Sequence, residues 1–258
     1  MCIRDSNYLS NLLAGIQLSP DSGVAPVLLT GTGPNSLQQR FAAFPTLRTP
    51  LLDRKSLPWI ARKSISTLLH RDVLIQRFMR EHDISVLSHS AHLGRFSTMP
   101  TIGWIPDLQH LHLPGFYTTG QLRDLNRGYR RVCDTCTRVV VSSRSSLSDL
   151  NRFSPSTASK VDVLSFVATP PAHEAQHTLP EMQQTYHFDK PYFLLPNQFW
   201  AHKNHRLVVD ALRQLKQRKR DILILATGQT KDTRNPLYFP DLMPVSYTHL
   251  TLPTNREV

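Results

Sequence analysis

Apolar and polar positions follow two rhythms along the chain. In NYLSNLLAGI, residues 7–16, Tyr8, Leu12 and Leu13 or Ile16 share one stripe, the spacing of an amphipathic helix. VAPVLLTG then has the length and aliphatic content of a strand. PWIARKSISTLLHRDVLIQRFMRE, from about Pro58 to Glu81, predicts one long basic helix with proline near its first turn. ISVLSH and TIGWI read as short buried strands, QLRDLNRGYRRVCDTC as a helix and RVVVSS as a strand. SSLSDLNRF reads as a helix capped by one of the serines Ser142–Ser146, and KVDVLSFV closes the series as a strand.

From Ala168 to Lys190 the rhythm weakens, and Pro170, Pro171 and Pro180 sit among polar residues, which predicts a linker. A fresh unit follows: YFLLPN as a buried strand ending near Leu194 and Leu195, KNHRLVVDALRQLKQRK as a helix, DILILATG as a strand. Strands alternating with helices predict parallel α/β sheets covered on both faces. The expected division is an N-terminal Rossmann-like domain over 7–167, a linker over 168–190, and the opening of a second α/β domain over 191–244. No internal repeat or low-complexity segment interrupts it.

The two ends read differently. One permitted back-translation of MCIRDS has a reverse complement that, one base out of frame, encodes Val-Ser-Tyr-Thr-His, the order of Val245–His249. Such an inverted repeat resembles a sequencing-library tag rather than a product of protein selection. Residues 1–6 and 245–258 are therefore expected to lie outside the natural fold, and the chain is expected to be a fragment.

The net charge of +11 belongs wholly to the interior, because Arg4, Asp5, Arg256 and Glu257 cancel. A basic surface suits nucleic acid, anionic lipid or phosphorylated ligands, and is also compatible with simple solvation. Apolar runs are strand-sized, far short of a membrane span. Setting Cys2 aside leaves Cys133 and Cys136, a CxxC at the end of a helix rather than its start and without a second ligand pair. Burial is therefore preferred over redox or zinc chemistry. The absence of a disulfide framework fits a reducing cytoplasm.

Two stretches carry candidate chemistry. In LLPNQFWAHKNH, residues 194–205, a strand ends at a Pro-Asn turn and a helix is expected to start near His202–Lys203. That brings free backbone N–H groups beside Lys203, a setting that binds phosphate. An ordinary strand-to-helix turn is the alternative. His202 and His205 lack a third ligand for a metal, and Phe199 and Trp200 are expected to point apart, one of them into a core or interface. In WIPDLQHLHLP, residues 104–114, Asp107, His110 and His112 follow a strand end, where a carboxylate and imidazoles can grip hydroxyls or handle protons. Loop capping by Asp107 with solvent-facing histidines is the alternative. The G-x-G of LTGTGPN lacks the further residues of a dinucleotide or P-loop motif.

Taken together, TIGWIPDLQHLHLPGFYT, RVVVSSRSSLSDLNRF with KVDVLSFV, and YFLLPNQFWAHKNHRLVVDAL with ILILATGQTKDTRNP resemble the group 1 (family 4) glycosyltransferases of the GT-B fold, from about Asn7 to Leu242. The resemblance implies two Rossmann-like domains, a nucleoside-diphosphate sugar held mainly by the second, retention of anomeric configuration, and no bound metal or other cofactor. It implies a saccharide or lipid-linked acceptor, no nucleic-acid partner, and a cytoplasmic enzyme with the 58–81 helix able to lean on anionic membrane. Asn197, Gln198 and Lys203 become the diphosphate-binding candidates. The family's usual arginine five residues before the lysine is here the neutral Gln198, a departure from the pattern. Asp107 and His110 match the family's polar group against the donor sugar. The family's first glycine-bearing turn would precede Asn7 and its paired glutamates would follow Leu242, so the chain alone is expected to show no turnover. Rival readings are a non-catalytic nucleotide- or nucleic-acid-binding α/β module and another GT-B enzyme such as an epimerase.

Overall fold

The structure, a computed structural model, describes residues 3–34, 41–89, 93–166, 178–232 and 234–246. The chain divides into two units. The first comprises Met1–His112 with Gly120–Pro170, and the second Leu113–Thr119 with Pro171–Val258.

In the first unit, α1 (Ile3–Gln17) buries Tyr8 and Leu13. β1 (Leu28–Thr30) pairs in parallel with β2 (Thr46–Arg48), a strand too short to show in the hydrophobic pattern. Two helices then stand where one was expected: α2 (Leu57–Leu69) and α3 (Val73–Glu81). The break is local chemistry. His70 takes a left-handed conformation at φ 49°, and the Asp72 carboxylate caps the Ile75 N–H at the start of α3. Asp72 also accepts from buried Arg62 on α2 (Nε to Oδ2 2.8 Å), which ties the two helices together across the turn. Past the break, α3 turns Ile75 and Met79 into one cluster with Leu87, Leu93 and Met99.

The main sheet has four parallel strands in the order β3 (Leu87–Ser88), β4 (Thr101–Ile105), β5 (Arg138–Val141) and β6 (Val161–Val163). Gly103 lies opposite Val139 and Ile105 opposite Val141. Between these strands come α4 (Gln109–His112), α5 (Thr119–Thr135) and α6 (Arg144–Phe153), the last capped by Ser143 accepting from the Ser146 N–H. Ile105, Leu108, Cys133, Cys136, Val139, Val141 and Leu150 form the core beneath. Both cysteines are free and buried there, and burial pushes the Cys136 thiol up, away from thiolate chemistry.

The second unit contains α7 (Leu179–Tyr186), opened by a reciprocal capping box between Thr178 and Glu181. It occupies part of the stretch expected as a linker; residues 168–177 of that stretch lie outside the described residues. β7 (Tyr192–Pro196) pairs in parallel with β8 (Leu223–Thr227), followed in sequence by α9 (Tyr238–Ser246), with α8 (His205–Gln217) between the two strands. Phe199, Val209, Ala226 and Leu242 make its core. β7 is not the buried strand the sequence predicts: Phe193 and Leu194 are 66% and 57% exposed. The only neighbour β7 has among the described strands is β8, while Leu195 alone of its aliphatic residues packs on the core cluster.

Of the ends expected to be foreign, Ile3–Ser6 extend α1, Val245 and Ser246 close α9, and residues 247–258 lie outside the described residues. Among the described residues no helix is long and apolar enough to cross a membrane.

Candidate functional site

Parallel sheets receive ligands where their strands end. In the second unit β7 and β8 run in register to Pro196 opposite Thr227, so the loops that follow leave the sheet side by side. They touch at once. Gly228 has φ 149°, and a Cβ there would overlap the Asn197 carbonyl, so only glycine lets the backbones approach this closely. The Phe199 N–H then bonds the Gln229 carbonyl at 2.9 Å, and the buried Phe199 ring stacks on His205 at 4.4 Å. Trp200 remains at the half-buried rim. This is the divergence expected of the two adjacent aromatics.

Beyond the contact the first loop makes a short 3-10 turn, Ala201–Lys203, and α8 begins only at His205. The helix start thus lies later than the sequence predicts, because Asn204 adopts a left-handed conformation (φ 53°, ψ 45°) between the two. Its side chain makes no cap bond, which leaves the start of α8 without a side-chain acceptor. Asn197 and Gln198 are half-buried at the strand end, and Lys203 is exposed in the 3-10 turn.

The second loop contributes residues that the sequence alone did not single out. Asp232, 3% exposed, accepts the Ala201 N–H at 3.2 Å and the Arg234 N–H at 3.0 Å. Burial pushes its carboxyl up, but the hydrogen bonds from Arg234 and Ala201 and the Arg234 charge outweigh burial and bring it below the ordinary range. Arg234 Nε lies 3.4 Å from Asp232, and its Nη2 donates to His202 Nδ1 at 3.2 Å. An arginine cannot accept, so His202 Nδ1 is the unprotonated nitrogen. The guanidinium also lies over Trp200 (5.1 Å) and Tyr117 (5.6 Å), and among the described residues its Nη1 makes no hydrogen bond. A visible signal existed: an Asp and an Arg two residues apart, just after DILILATG, in a loop leaving a strand end.

In the first unit, β4 delivers Asp107 to its strand end. The half-buried carboxylate accepts the Gln109 N–H at 3.2 Å and so starts α4. His110 is not solvent-facing. It is 3% exposed, with Nε2 3.1 Å from Asn126 Oδ1 and its ring against Tyr129 and Phe153. His112 instead pairs with Asp149 at 2.8 Å near the surface. Also at the strand ends, Tyr8 stacks on Trp104 at 4.5 Å and its hydroxyl lies 3.2 Å from His89 Nε2. Burial raises Tyr8 to about 12 and lowers His89, so both groups of that bond are held in their neutral forms. Neither Tyr8 nor His89 stood out in the sequence, because Tyr8 reads only as core. Among the described residues no group of three or more His, Cys, Asp or Glu side chains could hold a metal ion.

No protein-family model matches the chain, and no curated protein matches it. Solved structures do. A glycosyltransferase from Rickettsia africae ESF-5 superposes with a TM-score of 0.57 at 13% identity, covering 96% of this chain and 63% of that one. HepE of Anabaena, solved in complex with UDP and glucose, gives 0.58 at 11% identity, covering 96% and 65%. The chain thus spans less than two thirds of the length of each. At these identities the likeness concerns the fold alone: two Rossmann-like α/β units with parallel sheets, an architecture of the GT-B type.

Proposed function

We propose that the turn after β7 holds the diphosphate of a nucleoside-diphosphate sugar, and that the fold serves a retaining hexosyltransferase of the group 1 (family 4) type with a saccharide or lipid-linked acceptor. One observation carries the reading. At the ends of two adjacent parallel strands stand an exposed lysine, Lys203, an uncapped helix start and Arg234 with an unused guanidinium edge. As the glycosidic bond breaks, charge develops on the leaving diphosphate, and fixed cations and N–H groups are what stabilise it. Gln198 brings no charge to that task, and Arg234, braced by buried Asp232, offers the second cation from a different loop. HepE carries UDP, which makes UDP the natural probe.

Asp107 is the better placed of the two candidates for meeting a sugar, while buried His110 acts as a positioning residue that ties α4 to Asn126. α2 leaves Leu57, Ile60 and Leu68 exposed beside Lys63, which keeps peripheral contact with an anionic membrane within this reading. Vesicle binding indifferent to lipid charge would remove that part.

Calorimetric titration tests the diphosphate site. UDP should bind more tightly than uridine, and Lys203→Ala and Arg234→Ala should each weaken UDP binding about tenfold or more while leaving uridine unaffected, as loss of a charge-assisted hydrogen bond of about 1.5–3 kcal/mol requires. Equal binding of UDP and uridine, or no effect of Lys203→Ala, would count against the site.

A further inference from the structure

The first unit contains a second concentration of positive charge, at the opposite edge of its sheet from Asp107. A cavity of about 850 Å³ is lined by Arg95, Arg127, Arg130, Arg131 and Lys160, with Asp134 its single carboxylate. Its position follows from chain order. Arg127–Asp134 occupy the second half of α5, which leads into the start of β5. Lys160 immediately precedes β6, and Arg95 precedes β4. The cavity therefore lies where strands begin, whereas Asp107 and His89 lie where they end.

Ordinary structural duties do not account for this charge. The carbonyl end of a helix attracts cations only within about its last turn. α5 ends at Thr135, and Arg127, Arg130 and Arg131 all precede that turn. Among the described residues, no ion pair engages Arg95, Arg127, Arg130, Arg131 or Lys160. Two of the five are nevertheless held in place. Arg130 lies over the Phe153 ring at 4.7 Å, and Lys160 Nζ donates to the Cys136 carbonyl at 2.8 Å. The Lys63 ammonium is held below the ordinary lysine range by burial first and then by Arg62, with Asp72 opposing and Arg131 of the cavity adding to the fall.

We propose that this cavity is an anion site for a ligand carrying two or more adjacent phosphate charges, separate from the nucleotide-sugar turn. Planar guanidiniums present paired donors that match phosphate oxygens, and four of them with one ammonium, against a single carboxylate, favour a multiply charged group over a lone carboxylate. The same chemistry occurs on a soluble pyrophosphate and on a bilayer surface where neighbouring anionic headgroups bring their single phosphates together, and the experiment separates them.

The test uses the 258-residue chain with inorganic pyrophosphate in calorimetry and, in parallel, flotation with phosphatidylglycerol vesicles and neutral phosphatidylcholine vesicles. Arg127→Gln/Arg131→Gln, both exposed positions, is compared with Arg152→Gln, an exposed arginine outside the cavity. The expected result is pyrophosphate binding that weakens at least tenfold in the double variant and under twofold in Arg152→Gln, falling steeply with salt. Binding confined to phosphatidylglycerol vesicles, with the same loss in the double variant, assigns the site to adjacent headgroups on a membrane surface and also upholds it. Arg127→Lys/Arg131→Lys keeps the charge without the fork and should recover binding only in part. The proposal is overturned if neither probe binds, or if the double variant behaves like Arg152→Gln. The UDP titration of the second unit is unaffected either way.

Discussion

At the scale of single residues, charge is placed by burial as much as by sequence. His205 is 2% exposed, stacked on Phe199, with neither ring nitrogen in hydrogen-bonding geometry. Burial lowers it below its ordinary 6.5, with the Asn197 backbone opposing and the Lys203 charge adding to the fall; His89 is lowered by burial alone. A histidine lowered in the folded state binds its proton in the unfolded state first. Stability is then full above about 6.5 and falls as pH drops below it toward the folded value. The denaturant midpoint should decline on acidification from pH 7.5 to 5.5, and His89→Gln/His205→Gln should flatten that decline. An unchanged slope in the double variant would mean that other groups carry the effect. The legibility of residues follows the same division. Lys203 and Asp107 could be read from their motifs, because strand-end position is written in the local pattern. Asp232 and Arg234 gain their meaning only when a second loop, held against Asn197 by Gly228, comes alongside.

At the scale of elements, most of the order was legible because apolar spacing and caps agree: α5, α6, β4, β5 and β8 fall where the periodicity puts them. The break between α2 and α3 was not, since helix-compatible residues run on through it in the sequence and only Asp72 marks the boundary. That boundary rests on the buried Arg62–Asp72 pair, with side chains 5% and 4% exposed and Arg62 also donating to the Leu51 carbonyl. Arg62→Met would strand a buried carboxylate, and the expected loss is about 3–5 kcal/mol in urea unfolding. The paired change Arg62→Met/Asp72→Asn should cost clearly less than Arg62→Met alone. If it costs as much, the pair serves packing rather than charge.

At the scale of the whole molecule, the fold class could be read from the alternation of strands and helices, while the division of the chain could not be fixed to a residue, because α7 forms within a stretch whose composition suggests only a linker. The uncovered strand β7 has a further consequence, for colloidal behaviour. Phe193 and Leu194 are adjacent, so they point to opposite faces, and among the described residues the strand has one bonded edge. An open edge flanked by bare apolar side chains is a template for a second strand. The 258-residue chain should therefore self-associate as its concentration rises, seen as a growing weight-average mass in sedimentation equilibrium, and Phe193→Lys should hold it monomeric. If the mass stays flat across the range, the edge is closed in solution, and handling this protein will be simpler than its exposed strand suggests.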